Sequence, residues 1–225
     1  MNMNEMTPTQ IDTAWLQLHS KSNRLQDFIS NKLQTMAYYA GRRLRDGRGK
    51  TIILHPTEQR DMTTNEIVNL FANGEKTPCE TVSREHIVAT YNELCAELKE
   101  VDAQIEIIND EHRARQWSRF FLVTSSNGHI HSSMHCHTCN KGRFFTSFAL
   151  LPSLSGANLE TAVAKMGAGL CSVCFPDAPS EYQEQKKISA AVATVLLETG
   201  DEAKFDEALA KANARAAKKL AKAGA

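Results

Sequence analysis

The chain has 225 residues, of which 42% are hydrophobic and 23% are charged, so it is long enough for one sizeable domain or two small ones. Lysine plus arginine and aspartate plus glutamate each total 26, and the formal net charge of zero argues against a protein whose whole surface coats nucleic acid. No run of about 18 apolar residues and no apolar signal core near the N-terminus is present, so we expect no membrane span and a reducing, cytoplasmic location.

The first predicted element is an amphipathic helix over residues 11–46. Its apolar positions recur at steps of three, four or seven, and Ser22 and Lys32 interrupt the seam: Ile11, Trp15, Leu18, Leu25, Ile29, Met36 and Tyr39. We expect it to end near Asp46-Gly47, where glycines break the pattern. Six basic and three acidic residues give it a net charge of +3. After it, the sequence predicts a short strand at 51–54 and a short helix at 64–72 within an irregular connection.

A second long helix is predicted over residues 84–112, with Ser83 as its cap. Its apolar seam repeats at alternating steps of four and three: Ile87, Tyr91, Leu94, Leu98, Val101, Ile105, Ile108 and His112. Eight acidic and two basic residues give it a net charge of −6. A basic and an acidic helix, each with an apolar seam, favour a helical hairpin or a dimeric coiled coil. The alternative is that both seams pack on a globular core.

A β-hairpin is predicted next. Residues 119–126 are rich in aromatic and β-branched types, and Asn127-Gly128 is typical of a tight type I′ turn. The returning strand is predicted over residues 129–134, with Phe121 opposite Met134. One face then carries Phe121, Val123, Ile130 and Met134, and the other carries Phe120, Leu122, His129 and His131.

Three helices are predicted in the remainder of the chain. Asn158 is expected to cap a short helix that Gly167 or Gly169 ends. Ser180 and Gln183 have the spacing of a capping box, so we expect them to begin a further helix that Gly200 breaks. The last helix is predicted over residues 201–223 and is rich in alanine and lysine.

Two Cys-x-x-Cys pairs, Cys136 with Cys139 and Cys171 with Cys174, predict a metal site. Four thiolates suit a tetrahedral Zn²⁺ ion, and such a closed set is normally structural. The 31-residue spacer is longer than in a short zinc ribbon, which an inserted strand and helix explain. An iron–sulfur cluster could use the same thiolates. The other cysteines, Cys79 and Cys95, are interpreted as ordinary thiols, Cys95 half buried on a helix.

Four histidines surround the first cysteine pair: His129, His131, His135 and His137. Because His129 and His131 lie two apart on a predicted strand, their side chains should point the same way. They are interpreted as polar strand residues or as hydrogen-bond donors to the zinc thiolates. The alternative is a zinc-dependent hydrolase or nuclease that uses both rings. A hydrolase also needs a carboxylate nearby, and residues 116–159 contain no Asp or Glu.

Two basic segments are candidate contacts for nucleic acid. The first contains Arg42, Arg43, Arg45 and Arg48. The second is the stretch from Lys211 to Lys222, which includes Lys218 and Lys219 and contains no acidic residue. Lysine–alanine helices are more often solvated surfaces, so nucleic-acid binding is kept as the alternative function.

Three segments resemble one protein family. They are Trp117–Cys139, with the sequence WSRFFLVTSSNGHIHSSMHCHTC, then LPSLSG at 151–156 and LCSVCFPDAP at 170–179. Together they resemble uncharacterised zinc-binding proteins with two Cys-x-x-Cys pairs that phages and plasmids of actinobacteria carry. The resemblance covers roughly residues 110–180. It implies a phage-type protein of a bacterial host cytoplasm, and it implies no activity and no catalytic residues.

The combined prediction is an α+β protein in three regions: helical and coiled-coil-like over 1–114, a zinc-ribbon-like module over 115–180, and a helical tail over 181–225. The predicted cofactor is Zn²⁺, bound by the four cysteines of the two pairs. We expect a zinc-stabilised binding protein with no evident catalytic activity. Its partner would be a host or phage protein, or a second copy bound through helices 11–46 and 84–112.

Overall fold

The computed structural model describes residues 3–40, 42–45, 51–54, 62–74, 83–125, 128–139, 146–184 and 187–223. These residues are mostly helical and include a small antiparallel sheet, which agrees with the predicted α+β class. The helices are α1 (Pro8–Ala40), α2 (Thr64–Ala72), α3 (Arg84–Arg115), α4 (Leu159–Met166), α5 (Ser180–Gln183), α6 (Ala190–Thr199) and α7 (Glu202–Ala223). The strands are β1 (Arg42–Arg45), β2 (Thr51–Leu54), β3 (Phe121–Val123), β4 (Ile130–His131) and β5 (Phe148–Leu150). In the described parts of the chain, no helix is both long and apolar enough to cross a membrane.

The chain forms two compact units. Unit 1 combines Met1–Ser20 with Gln104–Ala225, and unit 2 is Lys21–Ala103. The division falls within α1 and within α3, so each of these helices contributes to both units. Among the predicted features, Cys79, Arg48 and Asn127 lie outside the described residues.

Unit 2 has a core between three helices. Its buried members are Met36, Ala37, Ala40, Ile67, Phe71 and Ile87. Helix α2 forms as predicted, and Thr63 begins it with a full capping box to Glu66. The buried Arg84 guanidinium donates to the carbonyl of Phe71 near the end of α2, where a cation complements the helix dipole.

The first helix is shorter than predicted, because α1 ends at Ala40 and residues 42–45 form a strand. Strands β1 and β2 pair antiparallel, with Arg42 opposite Leu54 and Arg45 opposite Thr51. Glycine at position 41 is a poor helix former, and the β-branched run in β2 offers a partner strand. The prediction of a helix to residue 46 was therefore wrong.

The seam predicted for α3 is confirmed, since all eight of its residues are buried or half-buried. The Ser83 hydroxyl accepts from the His86 amide at the start of the helix. Within unit 2, Ser22 on α1 donates to Asp102 on α3, and Lys21 pairs with Glu97. Toward the other end of the pair, Met36 shares the core with Ile87, so the two helices run antiparallel.

The sheet of unit 1 has the strand order β4-β3-β5, all antiparallel. Phe121 lies opposite His131, and Leu122 lies opposite Ile130. The predicted register, with Phe121 opposite Met134, was wrong by three residues. Consequently His131 lies on the face of Phe121, whereas the prediction grouped it with Phe120 and Leu122.

Gly128 explains the register. It is bonded in both directions to Ile188, and a Cβ atom built on it would lie 2.5 Å from the Cβ of Val123. The glycine therefore permits a close approach of the chain to Val123.

The remaining helices enclose one core in unit 1. Its largest fully buried side chains include Phe120, Leu122, Ile130, Leu151, Leu154, Leu196 and Phe205. Asn158 caps α4 and Gly167 ends it, as predicted. The predicted capping box at Ser180 does not form, because Pro179 precedes the short helix α5 and no side chain caps it. Gly200 ends α6 in the left-handed conformation, as predicted.

A buried ion pair joins the two separate segments of unit 1. The Asp12 carboxylate, which is 0% exposed, accepts from the Arg119 guanidinium at 2.6 and 2.9 Å. Its other oxygen accepts from Trp117 Nε1 at 2.8 Å and from Ser155 Oγ at 2.5 Å. Helix α1 is thereby fixed to the segment that leads into β3.

Candidate metal centre

Backbone hydrogen bonds bring the two cysteine pairs together. The Ile130 amide donates to the Gly169 carbonyl, and the Cys171 amide donates to the Ile130 carbonyl, each at 2.8 Å. These bonds form a parallel bridge between strand β4 and Leu170. The second pair is therefore held beside β4, whose last residue is His131.

The first pair follows β4 after a short turn. The Cys139 amide donates to the Cys136 carbonyl at 2.9 Å, which turns both side chains to the same side of the chain. The distance from Cys136 Sγ to Cys171 Sγ is 3.9 Å. From Cys174 Sγ to His131 Nδ1 it is 3.5 Å, and from Cys139 Sγ to His131 Nε2 it is 3.6 Å.

These separations fit the edges of a metal tetrahedron. With Zn–S of ~2.3 Å and Zn–N of ~2.05 Å, tetrahedral ligands lie ~3.8 Å apart for two sulfurs and ~3.6 Å apart for sulfur and nitrogen. Donor atoms of His131, Cys136, Cys171 and Cys174 all lie within 4.8 Å of one another. The first three are buried and Cys174 is half-buried. This cluster could hold a metal ion.

The cluster shares three residues with the predicted set of four cysteines. Cys136, Cys171 and Cys174 belong to both, and the buried His131 is the fourth member in the structure. Cys139 contacts the His131 ring and is half-buried. Five potential donors thus meet at a site where a tetrahedral ion needs four.

The electrostatics of the thiols differ among the four cysteines. Burial by itself raises the pKa of Cys136, but hydrogen bonds from the Thr138 side chain and backbone outweigh it and lower that pKa below its ordinary value. The Thr138 hydroxyl lies 3.1 Å from Cys136 Sγ and 3.8 Å from Cys171 Sγ. Burial raises the pKa of Cys139 and of Cys174. A divalent cation would reverse this effect, because it favours the thiolate form.

In its neutral form, the His131 ring is suited to bind a metal. Burial, and next the neighbouring His129, lower the pKa of His131 to about 4. A neutral imidazole offers a lone pair to a cation at pH 7. The Phe148 ring meets it edge to face, with centroids 5.6 Å apart, and so limits its rotation.

The other three predicted histidines contribute no donor atom to the metal cluster found among the described residues. His129 stacks on His131, with centroids 4.6 Å apart, so the prediction that these two side chains point the same way is confirmed. Burial lowers the pKa of His129 as well. His135 and His137 are exposed. Of the four, His131 alone has a donor atom in the metal cluster found among the described residues.

A cleft of about 390 Å³ opens next to the cluster. Its lining includes Ser132, which follows His131, and Phe175, which follows Cys174. None of the described residues that line it is an aspartate or a glutamate. This lining therefore offers the predicted hydrolase alternative no carboxylate.

The basic residues proposed as nucleic-acid contacts lie away from the metal ligands in the sequence and on different elements. Arg42, Arg43 and Arg45 are on strand β1 of unit 2. Lys218 and Lys219 are exposed on α7 of unit 1.

Sequence reasoning missed the hydrogen-bonded group around Asp12. The signal was a single acidic residue within the apolar pattern that contains Ile11 and Trp15, but its partners Arg119 and Ser155 lie 107 and 143 residues away. No spacing rule connects residues so far apart. His131 was named as a thiolate neighbour, and the structure adds that its ring nitrogens lie among the sulfurs.

No known protein family, curated protein or solved structure matches this chain. The resemblance to phage and plasmid proteins therefore stays a prediction.

Proposed function

We propose that the protein is a zinc-stabilised interaction protein in which Zn²⁺ is a structural ion of unit 1. The observation that supports it is the convergence of His131, Cys136, Cys171 and Cys174, with donor atoms within 4.8 Å of one another and with three of the residues buried. The resemblance to phage proteins suggests action in a bacterial host cytoplasm on a host or phage protein, or on a second copy of the chain.

The donor types favour zinc. Three thiolates and an imidazole are ligands that Zn²⁺ accepts readily, because it has no geometric preference from its d electrons. A sulfur–sulfur distance of 3.9 Å corresponds to two ligands of a single ion. An iron–sulfur cluster distributes its four ligands over two or more irons, whereas these four donor atoms all lie within 4.8 Å of one another, so a single-ion site is the better fit.

A closed ligand set supports a structural ion. Catalytic zinc sites use three protein ligands and leave a position for water. Here four donors complete the tetrahedron, and the thiol of Cys139 borders it as a fifth. Binding of the ion would connect strand β4 to the two cysteine turns and so stabilise unit 1.

The assignment of the ligands is itself testable. We assign His131 as the fourth ligand and Cys139 as the neighbour. If His131→Ala abolishes metal binding while Cys139→Ser retains it, the assignment is supported. The reverse result would show a set of four cysteines, with the His131 ring donating a hydrogen bond to a thiolate. Absorption spectra of the Co²⁺ form distinguish three thiolate ligands from four.

The proposed function is tested by metal analysis of the purified chain. We expect about one zinc per chain, and we expect Cys171→Ser to lose both the metal and the folded structure of unit 1. Cys95→Ser is the matched control, because Cys95 is a half-buried thiol on α3 in unit 2. A wild-type protein that contains no metal and is fully folded would refute the proposal.

A further inference from the structure

The two-stranded ribbon of β1 and β2 has no role in the metal site. It belongs to unit 2 and follows the 33-residue helix α1. The strands pair over four residues each, from Arg42 opposite Leu54 to Arg45 opposite Thr51. An arginine-rich segment that the sequence predicts as the end of a helix is thus an extended β-ribbon.

Positive charge is concentrated in this ribbon. The two strands contain three basic residues, Arg42, Arg43 and Arg45, and no acidic residue, although the whole chain has a formal net charge of zero. Helix α3 has the opposite character, with a net charge of −6 over residues 84–112. The neutral total therefore conceals a short, strongly basic element.

The register sorts the residues of the ribbon onto two faces. Residues directly opposite each other share a face, and successive residues alternate between faces. Arg43 and Arg45 therefore share one face with Ile53 and Thr51. The other face carries Arg42, Leu44, Ile52 and Leu54. One face is thus mostly apolar, and the other has two arginine positions about 7 Å apart along the strand.

We propose that the β1–β2 ribbon binds double-stranded DNA, because its register places Arg43 and Arg45 on one face of a basic two-stranded ribbon. The major groove of B-DNA admits such a ribbon. Guanidinium groups bind phosphate and guanine edges with two parallel hydrogen bonds, which ammonium groups do not. These features favour a DNA duplex as the partner. Binding to an acidic protein would require neither the ribbon geometry nor arginine in particular.

The second basic segment fits this partner less well. Lys218 and Lys219 are exposed near the end of α7, where lysine commonly increases solvation, and Lys211 on the same helix pairs with Glu207. This segment supplies a matched control, since neutralising two lysines removes the same charge as neutralising two arginines.

The test is the binding of a fluorescent duplex of about 20 base pairs to the full-length, zinc-loaded protein, measured at several salt concentrations. We expect the logarithm of the association constant to fall linearly with the logarithm of the salt concentration. The double variant Arg43→Gln/Arg45→Gln should bind at least tenfold more weakly at low salt, with a salt slope smaller in magnitude by about 2. Lys218→Gln/Lys219→Gln should bind as the wild type does.

Four results would overturn the proposal. They are no duplex binding by the wild type at low salt, unchanged binding by the arginine variant, an equal loss in the lysine variant, and equal competition by polyglutamate, which would indicate an acidic protein partner. Circular dichroism must show both variants folded, and Arg43→Lys/Arg45→Lys, which keeps the charge, is substituted if the glutamine variant unfolds. Lysine at both positions should weaken binding with little change in the salt slope.

This inference stands apart from the proposed zinc function, because the ribbon is in unit 2 and the metal donors are in unit 1. Metal analysis and duplex binding therefore succeed or fail separately.

Discussion

At the scale of single residues, the ion pair of Asp12 and Arg119 is the interaction whose loss should cost most. The Asp12 side chain is 0% exposed and that of Arg119 is 7% exposed. Both Asp12 oxygens are occupied, by Arg119 on one side and by Trp117 and Ser155 on the other. Burying two charges costs free energy, so the net stabilisation by the pair is small. Removing one partner is nevertheless strongly destabilising, because the other charge is then buried without a counterion.

We therefore expect Asp12→Asn to lower the free energy of unfolding by about 3 to 5 kcal/mol, because it leaves the Arg119 charge buried without a counterion. Chemical denaturation followed by tryptophan fluorescence measures the change. Asp27→Asn is the control, because Asp27 is an exposed residue of the same helix and should change stability by less than about 0.5 kcal/mol. Equal losses in the two variants would contradict the interpretation.

Buried histidines make unit 1 sensitive to acid. Burial lowers the pKa of His112, His129 and His131, in the last case to about 4, against about 6.5 for an exposed histidine. Between pH 6.5 and 4 the unfolded chain therefore binds protons that the folded chain does not. Stability is complete above pH 6.5 and falls as the pH decreases toward 4. Protons also compete with a metal for His131, in the same direction.

The expected result is a lower melting temperature at pH 5 than at pH 7. Because His112 is not among the metal donors, His112→Gln should reduce this pH dependence while zinc binding is retained. A melting temperature that is the same at both values would show that these histidines do not contribute.

At the scale of elements, the hairpin of β3 and β4 depends on Gly128. A methyl group at this position would lie 2.5 Å from the Val123 Cβ and 2.6 Å from the Val123 carbonyl oxygen. The backbone must move, and the two hydrogen bonds between Gly128 and Ile188 would be weakened. We expect Gly128→Ala to cost about 1 to 3 kcal/mol of stability and to increase hydrogen exchange at Ile188.

Gly167→Ala is the control for the Gly128 variant. Gly167 has a φ of 58° and no atom within 4 Å of an added Cβ, so its cost of about 1 to 2 kcal/mol is conformational and not steric. It should leave the exchange at Ile188 unchanged. If Gly128→Ala also leaves that exchange unchanged, the close contact is not what fixes the register.

The elements show which patterns a sequence can specify. The seam of α3 is local and repeats over many residues, so its burial follows from periodicity alone. The register of the hairpin depends on Ile188, 60 residues after Gly128, and a turn rule cannot include that residue. Likewise β1 pairs with β2, which the sequence places beyond the predicted end of the first helix at residue 46.

The residues of the metal cluster likewise include some that sequence spacing identified and one that it did not. The spacing within each Cys-x-x-Cys pair identified Cys136, Cys171 and Cys174 as candidate ligands, because two residues between cysteines allow a tight turn around one ion. The approach of His131 depends on the strand register and on the backbone bridge to Leu170. Both are tertiary features, so sequence spacing could identify the type of site but could not show that His131 enters it.

At the scale of the whole molecule, we expect association between copies from the distribution of charge and exposed apolar side chains. Phe28 on α1 is 57% exposed and lies one turn from Arg24 and from Lys32, whereas α3 is strongly acidic. Between two copies, the basic and apolar stripe of one α1 would complement an acidic α3.

We accordingly expect a concentration-dependent dimer in sedimentation velocity, and we expect Phe28→Ser to weaken it about tenfold or more. Asn31→Ser changes an exposed residue one turn further along α1 and should have no effect. A wild-type chain that remains monomeric up to about 100 µM would exclude this interface, since dimers stable in a cell generally associate below that level.

Unit 1 combines two segments that are far apart in the sequence, and this determines when it can fold. Asp12 is synthesised before its partners Arg119 and Ser155. At a synthesis rate of about 5 to 20 residues per second, these partners follow roughly 5 to 30 seconds later. During that interval Ile11, Trp15 and Leu16 have none of the sheet to pack against. The core of unit 1 also includes Phe205, so folding of unit 1 is a late event of translation.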